Sequence, residues 1–179
     1  MTGSAVRIRA ARPEERSLIA ALTGRAYAEY AALMESSAWK ALHGAVDASL
    51  ADEADVTRIV AELDGVIVGS AALYAPGAEA YGRLTSRSTW PELRLVAVDP
   101  PARGRGIARL VVMECARRAQ ESGASVLGLH TSRSMRMAKQ LYERMGFIRD
   151  PEHDFHPPGA EPVEGYRLVL TDPAPLSEL

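Results

Sequence analysis

Four residues, Arg103-Gly104-Arg105-Gly106, carry the clearest chemistry in the chain. Leu93, Leu95, Val96, Ala97 and Val98 form a mostly apolar run of strand length before them. Asp99-Pro100-Pro101 stops that run, because proline cannot donate to a sheet ladder. Ile107-Ala108 then opens a long amphipathic stretch. A strand, a glycine turn and a helix start make an anion site: the first helical N–H groups have no partner, the macrodipole is positive there, and glycine admits close backbone approach. Arg103 and Arg105 add forked cations suited to phosphate oxygens. The stretch lacks the third glycine of a dinucleotide fingerprint and the Gly-Lys-Ser/Thr of a Walker loop. A flexible basic loop is the plain alternative on this stretch alone.

Other reactive residue types are less informative. The single cysteine, Cys115, falls on the apolar face of the following helix and reads as core. His153 and His156 lie in a proline-rich loop without a third ligand, so no metal is expected. No Ser/His/Asp arrangement can be assembled from the spacing. Tyr27, Tyr30, Met34 and Trp39 either pack against a sheet or line an acceptor pocket.

The elements that position these residues follow from periodicity. Val6, Ile8 and Ala10 alternate with Arg7 and Arg9 as a half-buried strand. Pro13-Glu14-Glu15 opens a helix whose stripe is Leu18, Ile19 and Leu22, the glutamates suiting its positive end. A second helical stretch covers 26–54, with an interruption expected at Gly44. Strands at 57–63 and 66–74 flank Asp64-Gly65, a tight hairpin turn. The long Gly/Ser/Thr/Pro loop at 75–90 reads as mobile or functional. A helix from Gly106 to about Ser122, a strand at 125–131, a helix at 134–145 and strands from Phe147 and at 164–170 complete the order. On that helix at 134–145, Ala138, Leu141, Tyr142 and Met145 share one face.

The 179 residues suit one domain with a sizeable core, taken as 1–172, with 173–179 as a loose tail. A formal charge of −2 with mixed signs argues against a general nucleic-acid binder. No apolar run approaches the roughly 18 residues of a membrane span, so no membrane partner is expected. The N-terminus lacks a signal-peptide hydrophobic region, and one cysteine allows no internal disulfide framework. These readings together imply a cytoplasmic protein, as monomer or homodimer.

From about Val6 to Leu170, and most strongly from Glu92 to Phe147, the chain resembles the GNAT superfamily of acetyl-CoA-dependent N-acetyltransferases. Arg103-Gly104-Arg105-Gly106-Ile107-Ala108 matches the family loop [Q/R]-x-x-G-x-[G/A], and Ala138 to Phe147 matches A-x-x-L-Y-E-x-x-G-F. The preceding L-V-A-V-D-P resembles the family's central strand. The resemblance implies an α/β (α+β) fold with a mixed sheet of about six to seven strands and about four helices. It also implies a splay between the fourth and fifth strands, with Leu95–Val98 parting from Leu127–His130. Backbone amides of Arg103, Gly104, Arg105, Gly106, Ile107 and Ala108 would hold the pyrophosphate of acetyl-CoA. Val96, Ala97 and Val98 would line the pantetheine arm, with Val96 and Val98 pairing to it through backbone as to another strand.

Tyr142 sits where the family often places the acid that protonates the leaving thiolate. Glu92 occupies the E-x-x-x-x-A-V frame in which some members carry a catalytic base; otherwise it is a strand-end surface carboxylate or a partner of Arg94. Where the family frequently has Asn, this chain has Met135, and Ser132 or Ser134 would substitute as the polar contact to cofactor. The implied function is acetyl transfer to a primary amine on a small molecule or peptide, by direct attack in a ternary complex. The rivals are a non-catalytic acyl-CoA sensor with the same fold, and a nucleotide-binding protein using the same loop.

Overall fold

A two-residue turn sets the first half of the sheet. Asp64 and Gly65 both adopt positive φ, 51° and 81°, whose twist matches paired strands. The computed structural model describes residues 5–51, 56–78 and 88–170. The strands are β1 (Arg7–Ala10), β2 (Val56–Leu63), β3 (Val66–Tyr74), β4 (Glu92–Val98), β5 (Val126–Ser132), β6 (Ile148–Arg149) and β7 (Val163–Val169). The helices are α1 (Arg16–Tyr27), α2 (Ser36–Ala51), α3 (Ile107–Glu121) and α4 (Arg136–Arg144), with short 3-10 turns at Pro13–Glu15, Ala28–Ala32, Pro100–Ala102 and Pro151–His153. The strands form one seven-stranded sheet in the order β1-β2-β3-β4-β5-β7-β6. Its one parallel pair is β4 with β5, reached by the crossover through α3.

Two apolar layers cover the sheet. Ile107, Val111, Val112 and Cys115 of α3 pack with Ile59, Leu93, Leu127 and Leu129 on one face, joined by Tyr142 and Met145 around α4. Gly69 makes that docking possible: a Cβ there would come within 2.7 Å of Ile107 Cγ2. The other face is covered by Leu22 and Ala26 of α1 against Ala97, and by Val46 of α2 against Ala72, Tyr74 and Leu95.

Several expectations are corrected. Gly44 lies inside an unbroken α2, and the interruption falls at residues 33–35. An exposed helical glycine costs only about 1 kcal/mol, too little to break a helix anchored by Ala38 and Val46. Leu18 is 60% exposed. The 3-10 turn at Pro13–Glu15 delays the α-helix, so its buried stripe is Ile19, Leu22 and Ala26. Most of the 75–90 loop and the whole of 173–179 lie outside the described residues.

Glu15 does more than face a helix dipole. It is 4% exposed, accepts two bonds from Arg9 (2.7 and 2.8 Å) and one from the Arg12 backbone N–H (2.7 Å). Arg9 also reaches Glu62 of β2 at 2.7 Å, tying the helix start to the sheet edge. The Arg9 guanidinium holds the Glu15 carboxyl well below the usual carboxylate range, against the opposing effect of burial. A depressed folded-state pKa contributes stability above the unfolded value and loses it as pH falls through the folded one. Glu15→Gln is therefore expected to lower stability at pH 7 by about 1–3 kcal/mol and to flatten the loss on acidification below about pH 4.3. Thermal unfolding of both proteins across pH checks this; parallel profiles would contradict it.

Candidate active site

The site begins where β4 and β5 part. They pair only at Glu92 with Gly128 and Leu93 with Leu129. On the other side of β4, Ala72 faces Arg94 while Ser70 faces Ala97. Ala71 thus stands against Leu95 and Val96 together, which is a β-bulge. Leu95 takes φ 54°, a left-handed conformation costing an ordinary residue about 1–2 kcal/mol. The extra residue changes the phase of the strand. Leu93 packs on the α3 face and Leu95 on the α2 face, although strict alternation would put them together. The splay was expected between Leu95–Val98 and Leu127–His130. The register instead keeps Gly128 and Leu129 in the paired half and opens Leu95–Val98 against the far end of β5, His130–Ser132.

A groove of about 620 Å³ opens at this parting. Val96, Ala97 and Val98 form one wall, and Gly104, Gly106, Ile107 and Ala108 close its end. Gly104 and Gly106 have φ of 77° and 73°, and a Cβ at either would meet only open space. The turn needs glycine for its dihedrals and leaves its surface bare. Leu110 N–H bonds Gly106 C=O at 3.1 Å, so the amides before it have no intrahelical acceptor. Ala138, Leu141 and Tyr142 of α4 form the opposite wall, with Tyr27 and Tyr30 above. Arg109 and Arg144 also line the groove.

Two residues with expected cofactor contacts stand apart. Arg105 and Ser134 do not line the groove. The Ser134 hydroxyl and N–H both donate to Glu161, the latter at 3.2 Å. Arg103 lines the groove, yet its guanidinium is already engaged: it pairs with Glu29 at 2.7 Å and donates to the Ala26 carbonyl at 3.0 Å. Arg25 pairs with Asp99 at 2.9 Å beside it. These contacts bind the end of α1 to the turn after β4.

Tyr142 is buried in the groove wall, with the Phe147 ring 5.7 Å away. Burial, reinforced by Tyr27 and Tyr30, raises its phenol above the ordinary tyrosine range. Cys115 is wholly buried, and burial pushes its thiol up to about 12, which fits a packing role.

Glu92 is not a surface carboxylate. It is 3% exposed, and its Oε1 lies 2.5 Å from His130 Nδ1. His130 Nε2 lies 2.8 Å from the His153 carbonyl. A carbonyl only accepts, so Nε2 carries hydrogen. Nδ1 is the ring nitrogen that faces the Glu92 carboxyl.

His130 also lines a second cavity, of about 180 Å³, which Glu92 does not reach. Tyr27 belongs to both cavities, and adjacent β4 residues divide between them, Leu95 here and Val96 in the groove. Phe155, Ala160, Glu161 and Val163 form the lid side. Met135 lies in this wall, with Thr131 Oγ1 3.5 Å from its Sδ. Of the aromatic and methionine candidates, Tyr27, Tyr30 and Met34 line the cavities, whereas Trp39 packs edge-on against His43. The His153 ring lies 4.9 Å from that of Trp90, tilted by 56°.

Sequence reasoning missed His130, Arg109, Arg144 and the continuation of the α2 wall beyond Trp39. For His130 a signal existed: a polar ring in the apolar strand V-L-G-L-H-T. The arginines gave none among so many.

Comparison with known proteins adds three findings. The model of the acetyltransferase (GNAT) family matches residues 15–147. A mycothiol acetyltransferase of Cellulomonas flavigena is 30% identical over 122 residues, 66% of this chain; the chain spans about a third (35%) of that relative's length. Among solved structures, a GCN5-related N-acetyltransferase of Rhodopseudomonas palustris superposes with a TM-score of 0.70 at 19% identity, over 95% of this chain and 99% of that one. A GNAT family acetyltransferase of Brucella melitensis, solved in complex with acetyl-CoA, gives 0.61 at 22% identity over 94% and 90%.

The hydrogen placed on His130 Nε2 by the His153 carbonyl is directly measurable. Long-range ¹⁵N–¹H NMR is expected to find Nε2 protonated in the resting protein. An unprotonated Nε2 would contradict the arrangement.

Proposed function

This chain belongs to the acetyltransferase (GNAT) family, and on that premise we propose that it transfers the acetyl group of acetyl-CoA to a primary amine by direct attack in a ternary complex. One observation carries the reading: the parted β4–β5 edge runs into the bare glycine turn, and two cavities meet at the bulge. The acetyl-CoA bound to the Brucella neighbour supports the choice of cosubstrate.

The residues fit acetyl-CoA. Pantetheine carries amides that match the edge of β4 at Val96 and Val98, which has no strand partner on the β5 side and where the Val98 carbonyl accepts from Arg103 Nε at 3.4 Å, as a ligand strand does at a sheet edge. Amides from Arg103 to Ala108 face the pyrophosphate, where a helix start and left-handed glycines favour an anion. Arg109 and Arg144 add charge beyond the expected set. Ser134, committed to Glu161, is left out of it. The cosubstrate supplies an activated acyl group on a thiol leaving group.

The chemistry is a single displacement. The amine nitrogen bonds to the acetyl carbon, the carbon–sulfur bond breaks, nitrogen gives up one proton and sulfur gains one. Tyr142 supplies the proton to sulfur; its raised pKa keeps the phenol protonated at neutral pH. An alkylammonium of pKa near 10 is about 0.1% neutral at pH 7, a cost of roughly 4 kcal/mol. Glu92 offsets this as a base acting through His130, which alone of the two lines the acceptor cavity. The working state is the neutral imidazole with its hydrogen on Nδ1. Glu92 then fixes hydrogen on Nδ1, and Nε2 turns from the His153 carbonyl to take the ammonium proton.

Two variants test these roles in one pH–rate series. Tyr142→Phe is expected to lower kcat by about 10- to 100-fold with acetyl-CoA affinity little changed. Glu92→Gln is expected to lower kcat/KM at pH 7 and to recover as rising pH supplies free amine. An unchanged kcat removes the acid assignment, and a deficit constant with pH removes the base.

A further inference from the structure

The second cavity selects a chemical class of acceptor. We infer that the acceptor is a monoamine on a compact apolar body, an aryl or branched alkyl group about the size of a benzene ring. The inference rests on the acetyl-transfer reading for which atom reacts, and on the cavity alone for what surrounds it.

Size comes first. The cavity holds about 180 Å³, close to the roughly 150 Å³ apolar cavity that accommodates benzene. Its room comes from α2. Ala38, Ala41 and Ala45 lie three and four residues apart, on one helix face, and all line the space. Ala38 is buried, Ala41 half-buried and Ala45 exposed, so this wall runs from floor to mouth. Any larger side chain on it would fill the space. Leu95 and Phe155 line the cavity too and are as apolar.

Four of the six polar side chains in the wall are engaged with the protein, and the Tyr27 and Ser132 hydroxyls complete the set. Thr131 Oγ1 donates to Met135 Sδ, and Glu161 accepts from Ser134. His130 is bonded at both nitrogens. The Arg94 guanidinium lies 5.7 Å from the Tyr74 ring centre. An amino sugar would surrender hydrogen bonds to water and regain few. A polyamine would meet one guanidinium as well as one carboxylate, leaving its further charges uncompensated. An apolar body loses nothing by entering and gains by leaving water. Its single amine then reaches the reacting carbon only where the cavities meet, at Tyr27 and the Leu95–Val96 bulge.

The test combines calorimetry and turnover on the full chain. Binding of 2-phenylethylamine, 3-methylbutylamine, glucosamine and spermidine is measured with CoA present, and thiol release with acetyl-CoA. The two apolar amines are expected to bind, and to show KM values, at least about tenfold below the polar pair, the scale of one or two buried methylenes. Ala41→Phe and Ala45→Leu should each weaken 2-phenylethylamine by about tenfold while acetyl-CoA still raises their unfolding temperature as in the parent. Because Ala45 is exposed, its variant keeps the test informative should Ala41→Phe fold poorly. Acetylation of the polar amines without binding of the apolar ones overturns the inference and leaves acetyl transfer standing. Binding of the apolar amines without thiol release from any amine supports the cavity's class and removes the transfer reading.

Discussion

The site depends on one surplus residue in β4. A regular strand would continue its ladder with β5 and close the sheet. The bulge at Leu95 sets two residues of β4 against Ala71 and ends the pairing after Leu93. The same shift sends Leu95 to the face opposite Leu93 and leaves Val96 on the α3 side. One local irregularity thus opens a backbone edge, starts a groove and separates it from a second cavity. Its conformational cost is held by the packing of Leu95 against Val46 and Tyr74.

The elements around the parting are fixed by burial and oriented by charge. Leu22 and Ala26 seat α1 on Ala97, and this apolar contact supplies most of the attachment. Arg25–Asp99 and Arg103–Glu29 are both partly exposed, and such pairs are worth about 0–1 kcal/mol. Their role is geometric: they hold Tyr27 and Tyr30 over the groove. The Arg103–Glu29 pair also places a carboxylate beside the anion turn. A phosphate bound at this turn would compete with Glu29 for one guanidinium, so the proposed site draws less anion affinity from Arg103 than its position in the motif suggests.

Much of this was legible in the residues. The hairpin at Asp64-Gly65, the strand Glu92–Val98 and the helix start after Gly106 follow from turn chemistry, apolar runs and proline stops. The groove residues from Val96 to Ala108, Arg105 excepted among the named set, were readable because backbone conformation and motif coincide there. The bond of Ser134 to Glu161 was not readable because the two lie 27 positions apart, beyond any local pattern. The break near Gly44 was misplaced because tertiary anchoring of α2 outweighs a single glycine. The Glu92–His130 pair joins residues 38 positions apart, and only the register of β4 with β5 brings them together. The bulge itself leaves no mark in L-R-L-V-A-V, where apolar residues of both phases run together.

The central claim is that the parted edge and the glycine turn together form a site for acetyl-CoA. The most direct test is thermal unfolding with acetyl-CoA, CoA, ATP and NAD in parallel. A ligand at 100 times its Kd adds about 2.7 kcal/mol, a rise of roughly 5–10 °C for a chain of this size. The account predicts that rise with acetyl-CoA and CoA and none with ATP or NAD. A rise with ATP or NAD alone, or with none of the four, would contradict it.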